Sequence, residues 1–433
     1  MKDFGSILHL GICIDNDTLP GMLSDLIKGL YKKYDRKVVV LIDEYDKPIL
    51  DHVTEIETAE ANRKILRSFY GILKSLDSYM EFVFFTGVSK FTKTSVFSGL
   101  NNLSDITMDE DYANICGIPV DDLEHYFGDR IKMLASHANH KDYPDIHGRI
   151  LSWYDGYSWN GKTKLINPYG LLSFFQAKRF KSFWYVSGSP KFLIDLIKTK
   201  PEAVPKLQNL TISEEEMDAI DIQNMEIRAL LFQTGYLTVS KIIEHHDISP
   251  TYLLKIPNLE VRNAFFQQLT AELTKQESIF IKNVYLQIDK ALKTGDLQSI
   301  LSVLKSLFAS IPYQLHIDAE AYYHSIFFSI MTALGFKIDA EVSASRGRID
   351  AAIEYEDNVY VFEFKYVACA PDADENEKRR LFDKALKAGM KQIAERGYAD
   401  KDRGSGKTIY LAAFVFLGRD DVEMESLVIP QAK

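Results

Sequence analysis

The sequence predicts an α/β protein in three parts: a parallel-sheet domain first, then a lid-like or winged helical region, then a second α/β domain. Three observations carry this. Two buried-strand runs, VVVLI at 38–42 and FVFFTG at 82–87, bracket a long helical stretch. Strand, long helix, strand is the pattern of a βαβ unit in a parallel sheet. Beyond about residue 116 the chain turns to shorter helices and aromatic-rich turns such as WYDGYSWNG at 153–161. From Ala319 the order becomes helix, strand, strand, helix, strand, closing in the apolar run IYLAAFVFLG at 409–418. The expected division is 1–116, 117–279, a helical connector over 280–309, and 310–433.

Taken in order, residues 22–33 read as an amphipathic helix ahead of the first strand. A helix from about Ala59 to Leu76 then leads to the second strand, with both strands expected to be buried on both faces and joined right-handedly. In the middle region, EIRALLFQTGYLTVSKI and TYLLKIPNLEVRNAFF give helix, strand, turn, strand, helix. This reads as a small winged or lid-like unit closing near residue 275. Internal repeats and low-complexity tracts are absent from the sequence.

With 433 residues the chain has room for two or three cores, and 46% hydrophobic with 26% charged residues is an ordinary globular composition. No apolar run approaches the roughly 18 residues of a membrane helix. The short N-terminal apolar stretch is broken by His9 and Gly11, so neither a span nor a signal peptide is expected. Cys13, Cys116 and Cys369 lie far apart without a CxxC pair. That spacing argues against a disulfide framework or zinc ribbon and fits a reducing cytoplasm. A net charge of -10 gives no overall pull toward nucleic acid. Lys378 to Lys407, however, holds ten Lys or Arg against four Asp or Glu. A solvated helical face is the simplest account of that excess.

The densest chemistry lies in GRIDAAIEYEDNVYVFEFKY, residues 347–366. Two strand-like runs flank EDN, which predicts a hairpin or adjacent strands. Side chains alternate along a strand, so Val359, Val361, Glu363 and Lys365 share one face while Tyr360, Phe362 and Phe364 take the other. A carboxylate and an ammonium thus appear on a face that began as core, where an unpaired charge is costly. A solvent-facing pair at a strand end would explain them equally well. Asp350, preceded by a Gly-Arg-Ile turn, stands about a dozen residues earlier on the expected neighbouring strand. Two carboxylates converging from adjacent strands can hold Mg²⁺ or Mn²⁺, with Lys365 placed to orient a water or to stabilise charge on a phosphate. Glu320 opens a helix in register with Tyr323, Phe327 and Leu334; as an isolated residue it is a favourable first-turn acid.

Taken together, the run from Glu320 through GRID, EFK and the later helix containing Gln392 resembles the PD-(D/E)XK nuclease superfamily, over roughly residues 300–420. The resemblance implies a metal and catalytic site of Glu320, Asp350, Glu363 and Lys365. It also implies Gln392 supporting the phosphate or attacking water, and Tyr398 as a follower. Asp350 and Glu363 would be the metal ligands, and the basic segment around Gln392 would receive a phosphate backbone.

At the other end, VVVLIDEYDKP at 38–48 has the form of a Walker B element, a buried apolar strand ending in two acids. In nucleotide-hydrolysing proteins the first acid holds the Mg²⁺ water shell and the second activates water, here Asp43 and Glu44. A strand followed by turn and capping acids would look the same. IDEYDKPI, FTGVSKFTKTSVFSGLNNLSDIT, WYDGYSWNG, NPYGLLSFF and LLFQTGYLT together are similar to the bacterial AAA-ATPase-like family, over nearly the whole chain. That family commonly carries a PD-(D/E)XK domain at its C-terminus. The resemblance implies an incomplete P-loop-type sheet domain, with Thr86 and Ser89 where such ATPases sense the γ-phosphate.

No G-x-x-x-x-G-K-[ST] loop occurs in the sequence. GSGKT at 404–408 has Lys401 where the first Gly belongs and precedes a strand, so it reads as a loop. The family's P-loop would fall upstream of Met1. Weak or no ATP binding is therefore expected of this chain, together with uncovered apolar sheet surface and self-association or a partner through the N-terminal region.

The expected function is Mg²⁺-dependent phosphodiester hydrolysis of nucleic acid, DNA in the first instance, by a cytoplasmic bacterial protein. Two alternatives differ in class: an ATP-binding switch that takes its P-loop from elsewhere, and a non-catalytic nucleic-acid-binding protein. The first would bind ATP without cutting. The second would bind nucleic acid regardless of metal.

Overall fold

The computed structural model describes residues 12, 16–52, 55–89, 96, 97, 100, 102–135, 145–184, 193, 194, 197, 204, 207, 210–218, 227–311, 320–335, 342–344, 347–349, 351–370, 373–396, 406–418 and 421–430. The chain forms two compact units. The first takes Met1–Cys116, Ser158–Thr163 and Thr211–Leu254; the second takes Gly117–Tyr157, Lys164–Leu210 and Lys255–Lys433. The stretch 117–279 is thus shared between them, and 280–309 belongs to the second.

The first unit opens with α1 (Leu19–Tyr34), where Thr18 caps the N-terminus and Pro20 occupies the first turn, as helix starts favour. Strand β1 (Val38–Ile42) follows, then α2 (Ile56–Gly71), a 3₁₀ segment over Ile72–Tyr79, and β2 (Met80–Phe85). β1 and β2 pair in parallel, so the βαβ reading holds. Two expectations are corrected. The helix expected to run to Leu76 tightens to 3₁₀ geometry from Ile72. The strands are also not buried on both faces: Val39 is 54% exposed, Leu41 69% and Phe82 54%. Among the described residues this sheet has only two strands, and that leaves the apolar face open.

The unit also holds β3 (Leu210–Ser213), α3 (Ile227–Gln233), β4 (Thr238–Ile243) and β5 (Thr251–Lys255), with strand order β3-β5-β4. The expected helix, strand, strand order is present, while the helix expected to close it, Leu259–Thr274, belongs to the second unit. The turn at 158–163 is stitched to β4, because Ser158 N donates to Thr238 Oγ1 at 2.7 Å and Thr238 Oγ1 donates to Ser158 O at 2.9 Å.

In the second unit α4 (Val120–Ala135), α5 (Ile146–Tyr154) and α6 (Pro168–Ala177) share a core built on Leu123, Ile150, Tyr154, Leu171 and Phe174. Helix α7 (Leu259–Thr274) carries a buried acid in its first turn, Glu260. Its Oε1 accepts from Trp184 N at 2.7 Å, while Oε2 has no hydrogen-bond partner among the described residues. Gly170 permits this placement, since a Cβ there would lie 2.8 Å from Glu260 Oε2 and 2.8 Å from the Tyr154 ring. Burial pushes the Glu260 carboxyl up to about 7, against the backbone N–H groups of Trp184 and Phe183.

Helices α8 (Ser278–Thr294) and α9 (Leu297–Ala309) follow, then α10 (Glu320–Leu334) and the short hairpin β6 (Val342–Ala344) to β7 (Gly347–Ile349). Gly-Arg-Ile is therefore a strand and not the turn expected, because Ser343 and Ala344 pair with Arg348 and Gly347. The chain ends in β8 (Ala351–Tyr355), β9 (Asn358–Val367), α11 (Glu375–Arg396), β10 (Thr408–Leu417) and β11 (Asp421–Ile429). The mixed sheet has order β8-β9-β10-β11; β9 and β10 are parallel and the outer pairs antiparallel. Gly295, at φ +71°, closes the α8–α9 turn where any Cβ would lie 2.1 Å from the Tyr410 hydroxyl.

Candidate active site

β9 is the centre of the site. One face of it is aromatic: Phe362 and Phe364 meet Phe327 of α10 with ring centroids 5.5 and 4.7 Å apart, and Tyr360 stacks on Tyr410 at 4.8 Å. Phe416 on β10 receives Phe308 of α9 and Tyr323 of α10 at 5.0 and 4.5 Å. The other face carries Val359, Val361, Glu363 and Lys365, which stand beside Ile409, Leu411, Ala413 and Val415 of β10.

Helix α11 covers that second face, and the layer beneath it is interrupted. Val359, Val361, Leu411 and Ala413 pack with Ile393 in one apolar cluster. Val415 and Leu417 pack with Phe382, Ala385 and Leu386 in another. Glu363 and Lys365 fall between the two. Gly389 lies over this junction, where an added Cβ would be 2.8 Å from Ala413 Cβ. Glycine here brings the helix backbone down onto the strand position next to Glu363. Gln392, one helical turn on, is half-buried.

Glu363 is fully buried, and Lys365 Nζ stands 3.0 Å from its Oε1. The alternative of a solvent-facing pair is thus excluded for Glu363. A carboxylate in an apolar layer needs a compensating cation and hydrogen bonds, which the ammonium supplies in part. The neighbouring strand begins at Ala351, whose Cα partner is Phe362, the residue before Glu363. Asp350, Tyr398 and the side chain of Glu320 lie outside the described residues; the backbone of Glu320 starts α10. Of the expected set, then, Glu363, Lys365 and the Gln392 helix come together on one sheet face.

The donor chemistry suits a hard divalent cation in one respect: Glu363 offers carboxylate oxygen, the ligand type Mg²⁺ and Mn²⁺ prefer. No group of three or more His, Cys, Asp or Glu able to hold a metal occurs among the described residues. A closed zinc-type site is therefore not formed by them.

The acids after β1 have their own geometry. Asp43 Oδ1 accepts from Glu44 N at 3.0 Å and from the Thr86 hydroxyl in a short hydrogen bond. Thr86 N donates to Ile42 O at 2.8 Å, and Tyr45 N donates to Thr86 O at 3.1 Å. Asp43 and Thr86 are thus brought together at the exit of the two strands. Glu44 sits in the left-handed region at φ +50°, a conformation non-glycine residues seldom hold. Ser89 is buried instead, and its N and Oγ both donate to Asp46 at 2.6 Å.

Asp46 escaped the sequence reading. It is fully buried and also accepts from Val88 N at 3.1 Å, so it fixes the loop that leaves β2. Gly87 is demanded by the same packing, since a Cβ would lie 2.5 Å from the Tyr45 ring and 2.7 Å from Asp46 Oδ1. The available signal was a third acid just ahead of Lys-Pro in DEYDKP.

Comparison with known proteins bears on both ends of the chain. The family described as Predicted AAA-ATPase matches residues 3–97, and the PD-(D/E)XK nuclease superfamily matches 318–426. An uncharacterized protein from the vnfD 5' region of Azotobacter chroococcum mcd 1 is 32% identical over 425 residues, covering 97% of this chain and 77% of that one. This chain belongs to the predicted AAA-ATPase-like family and carries a C-terminal PD-(D/E)XK nuclease superfamily domain. No solved structure matches it. The mixed sheet β8-β9-β10-β11 with its flanking helices is that domain, and Glu363-Phe364-Lys365 occupies its central strand. Superfamily membership points to nuclease activity, a nucleic-acid substrate and a divalent metal ion. No helix among the described residues is long and apolar enough to cross a membrane.

Proposed function

We propose that the C-terminal domain hydrolyses phosphodiester bonds in DNA with Mg²⁺ or Mn²⁺, at a site formed by Asp350, Glu363 and Lys365 with Glu320 and Gln392. The observation that carries this reading is the fully buried Glu363, 3.0 Å from Lys365, set between two apolar clusters under α11. Evolution of a stable core alone gives little reason to place a charge pair there, because well-packed apolar residues are often as stable or more so. Asp350 and Glu363 would hold the metal. When bound, it would polarise the scissile phosphate and acidify a water. Lys365 would stabilise negative charge building on the phosphate, and Gln392 would orient the attacking water or a phosphate oxygen. The covered face excludes bulk water from Glu363, which strengthens each of these interactions.

The test is a cleavage panel of single-stranded, double-stranded and branched DNA and RNA with Mg²⁺, Mn²⁺ or EDTA. Cleavage should require the metal and fall roughly a thousandfold in Asp350→Ala. Cutting at the full rate in EDTA refutes the mechanism.

The Asp43–Thr86 contact supports a metal or nucleotide role for the first unit in this family. The open Val39, Leu41 and Phe82 surface supports association through that unit, with a second copy as its occupant. Light scattering of the wild type against Leu41→Lys tests the association; a monomer in both refutes it.

A further inference from the structure

The described cations of the basic segment from Lys378 to Lys407 fall into two populations. Lys378 pairs with Asp421 at 3.2 Å, Arg379 with Glu423 at 3.1 Å and Asp383 at 3.0 Å, and Lys407 with Glu354 at 2.9 Å. The pairs with Asp421, Glu423 and Glu354 fasten α11 and the start of β10 to the sheet, while Arg379–Asp383 lies within the helix. Arg380, Lys384, Lys387 and Lys391 behave differently. All four are exposed. The first three have no ion pair among the described residues, and Lys391 has only Glu395 at 3.5 Å, itself 65% exposed. Their spacing of four, three and four residues puts them in one row along α11.

The row faces away from the sheet. Phe382, Ala385, Leu386, Gly389 and Ile393 define the buried side of α11, and at 100° per residue the four cations centre on the opposite side. They extend along about 16 Å of helix axis, the length over which one strand of a duplex presents roughly five phosphates. The helix thickness separates them from Glu363, so they cannot hold the phosphate being cut.

We infer that Arg380, Lys384, Lys387 and Lys391 form an electrostatic track for the sugar–phosphate backbone of DNA, outside the catalytic site and indifferent to sequence. The choice of DNA as partner rests on the nuclease reading above. No aromatic side chain interrupts the row, so the contact is with phosphates and not with bases. An anionic membrane is the weaker fit: every large apolar residue of α11 except the partly buried Leu381 and Met390 is fully committed to the sheet, which leaves little to insert between lipids.

The experiment measures binding of a labelled 30-base-pair DNA duplex by anisotropy in EDTA, across a salt series, alongside cleavage of the same duplex with Mg²⁺ and Mn²⁺. Arg380→Ala/Lys384→Ala/Lys387→Ala is compared with wild type and with Lys28→Ala/Lys32→Ala/Arg36→Ala, which removes the same charge elsewhere. Alanine is the best helix former, so α11 should persist, and circular dichroism checks this. The track variant should lose roughly 2–3 from the slope of log affinity against log salt, and about ten- to a hundredfold in affinity at low salt. The control variant should keep the wild-type slope. Equal slopes in track variant and wild type overturn the track, as does a wild type that fails to bind DNA. Loss of binding to phosphatidylserine vesicles with DNA binding intact also overturns it. Binding with the expected slope change but no metal-dependent cleavage leaves the track standing and removes the nuclease reading. Cleavage with unchanged slopes does the reverse.

Discussion

Replacing Glu260 with glutamine should remove this carboxyl's contribution to the pH dependence of stability. In the folded protein the Glu260 carboxyl keeps its proton to about pH 7, whereas in the unfolded chain it loses the proton near 4.5. Its folded pKa is raised, so its contribution is fully present below the unfolded value and is lost as pH rises through the folded one. The separation corresponds to about 3 kcal/mol, lost progressively between roughly pH 4.5 and 7. Glutamine keeps an oxygen to accept from Trp184 N, but its amide nitrogen would take the place of Oε2, which has no partner among the described residues. That leaves a buried donor unsatisfied at a cost of about 1–2 kcal/mol. The variant should therefore be less stable than wild type at pH 4 and more stable at pH 8, by about 1–2 kcal/mol each way. Urea unfolding followed by tryptophan fluorescence is well suited, because Trp184 donates its backbone N–H to Glu260 and Trp153 lies in the same unit. A variant destabilised by the same margin at both pH values would show that Glu260 does not titrate in this range.

Other expectations concern the two ends of the chain. Lys365→Ala removes the ammonium beside the buried Glu363 and should cost about 2–3 kcal/mol at pH 8 while abolishing cleavage. Adding Glu363→Gln should restore stability and leave cleavage lost; recovery of both would contradict a catalytic role for the pair. Gly389→Ala should destabilise the C-terminal domain by about 1–2 kcal/mol through the Ala413 contact, despite its better helix propensity. A double-mutant cycle with Ala413→Gly should give a coupling of at least about 0.5 kcal/mol, and strict additivity would deny the contact. Calorimetry with ATP and Mg²⁺ should find binding weaker than micromolar in this 433-residue chain, since Asp43 and Glu44 repel phosphates and no G-x-x-x-x-G-K-[ST] loop supplies N–H donors. Micromolar affinity would mean that other residues cradle the phosphates.

Periodicity made the strands and helices readable. The β1–α2–β2 parallel pair follows from two apolar runs and the helix between them, and the two faces of β9 follow from simple alternation. What alternation could not decide was whether Glu363 met water, because that depends on α11 lying across the strand. Asp46 and Glu260 were invisible for a related reason. Their donors are far off in sequence, Ser89 at 43 residues and Trp184 at 76. An acid in DEYDKP or in a helix's first turn looks solvated until those distant N–H groups arrive. The apolar β1 run likewise reads as core, although Leu41 is exposed, because hydrophobicity along a strand does not tell how many layers cover it. Gly-Arg-Ile reads as a turn by composition, but pairing with Val342–Ala344 extends it.

The split layer beneath α11 has a consequence for how a charged ligand would be received. The helix is held at one end by Ile393 on Leu411 and Ala413, and at the other by Phe382 and Leu386 on Val415 and Leu417. At its middle, Gly389 rests on Ala413, the β10 partner of Glu363. A change of charge at Glu363 therefore acts beside Ala413, where the helix backbone meets the sheet. A ligand that altered that charge would be registered where the helix has no room for even a Cβ.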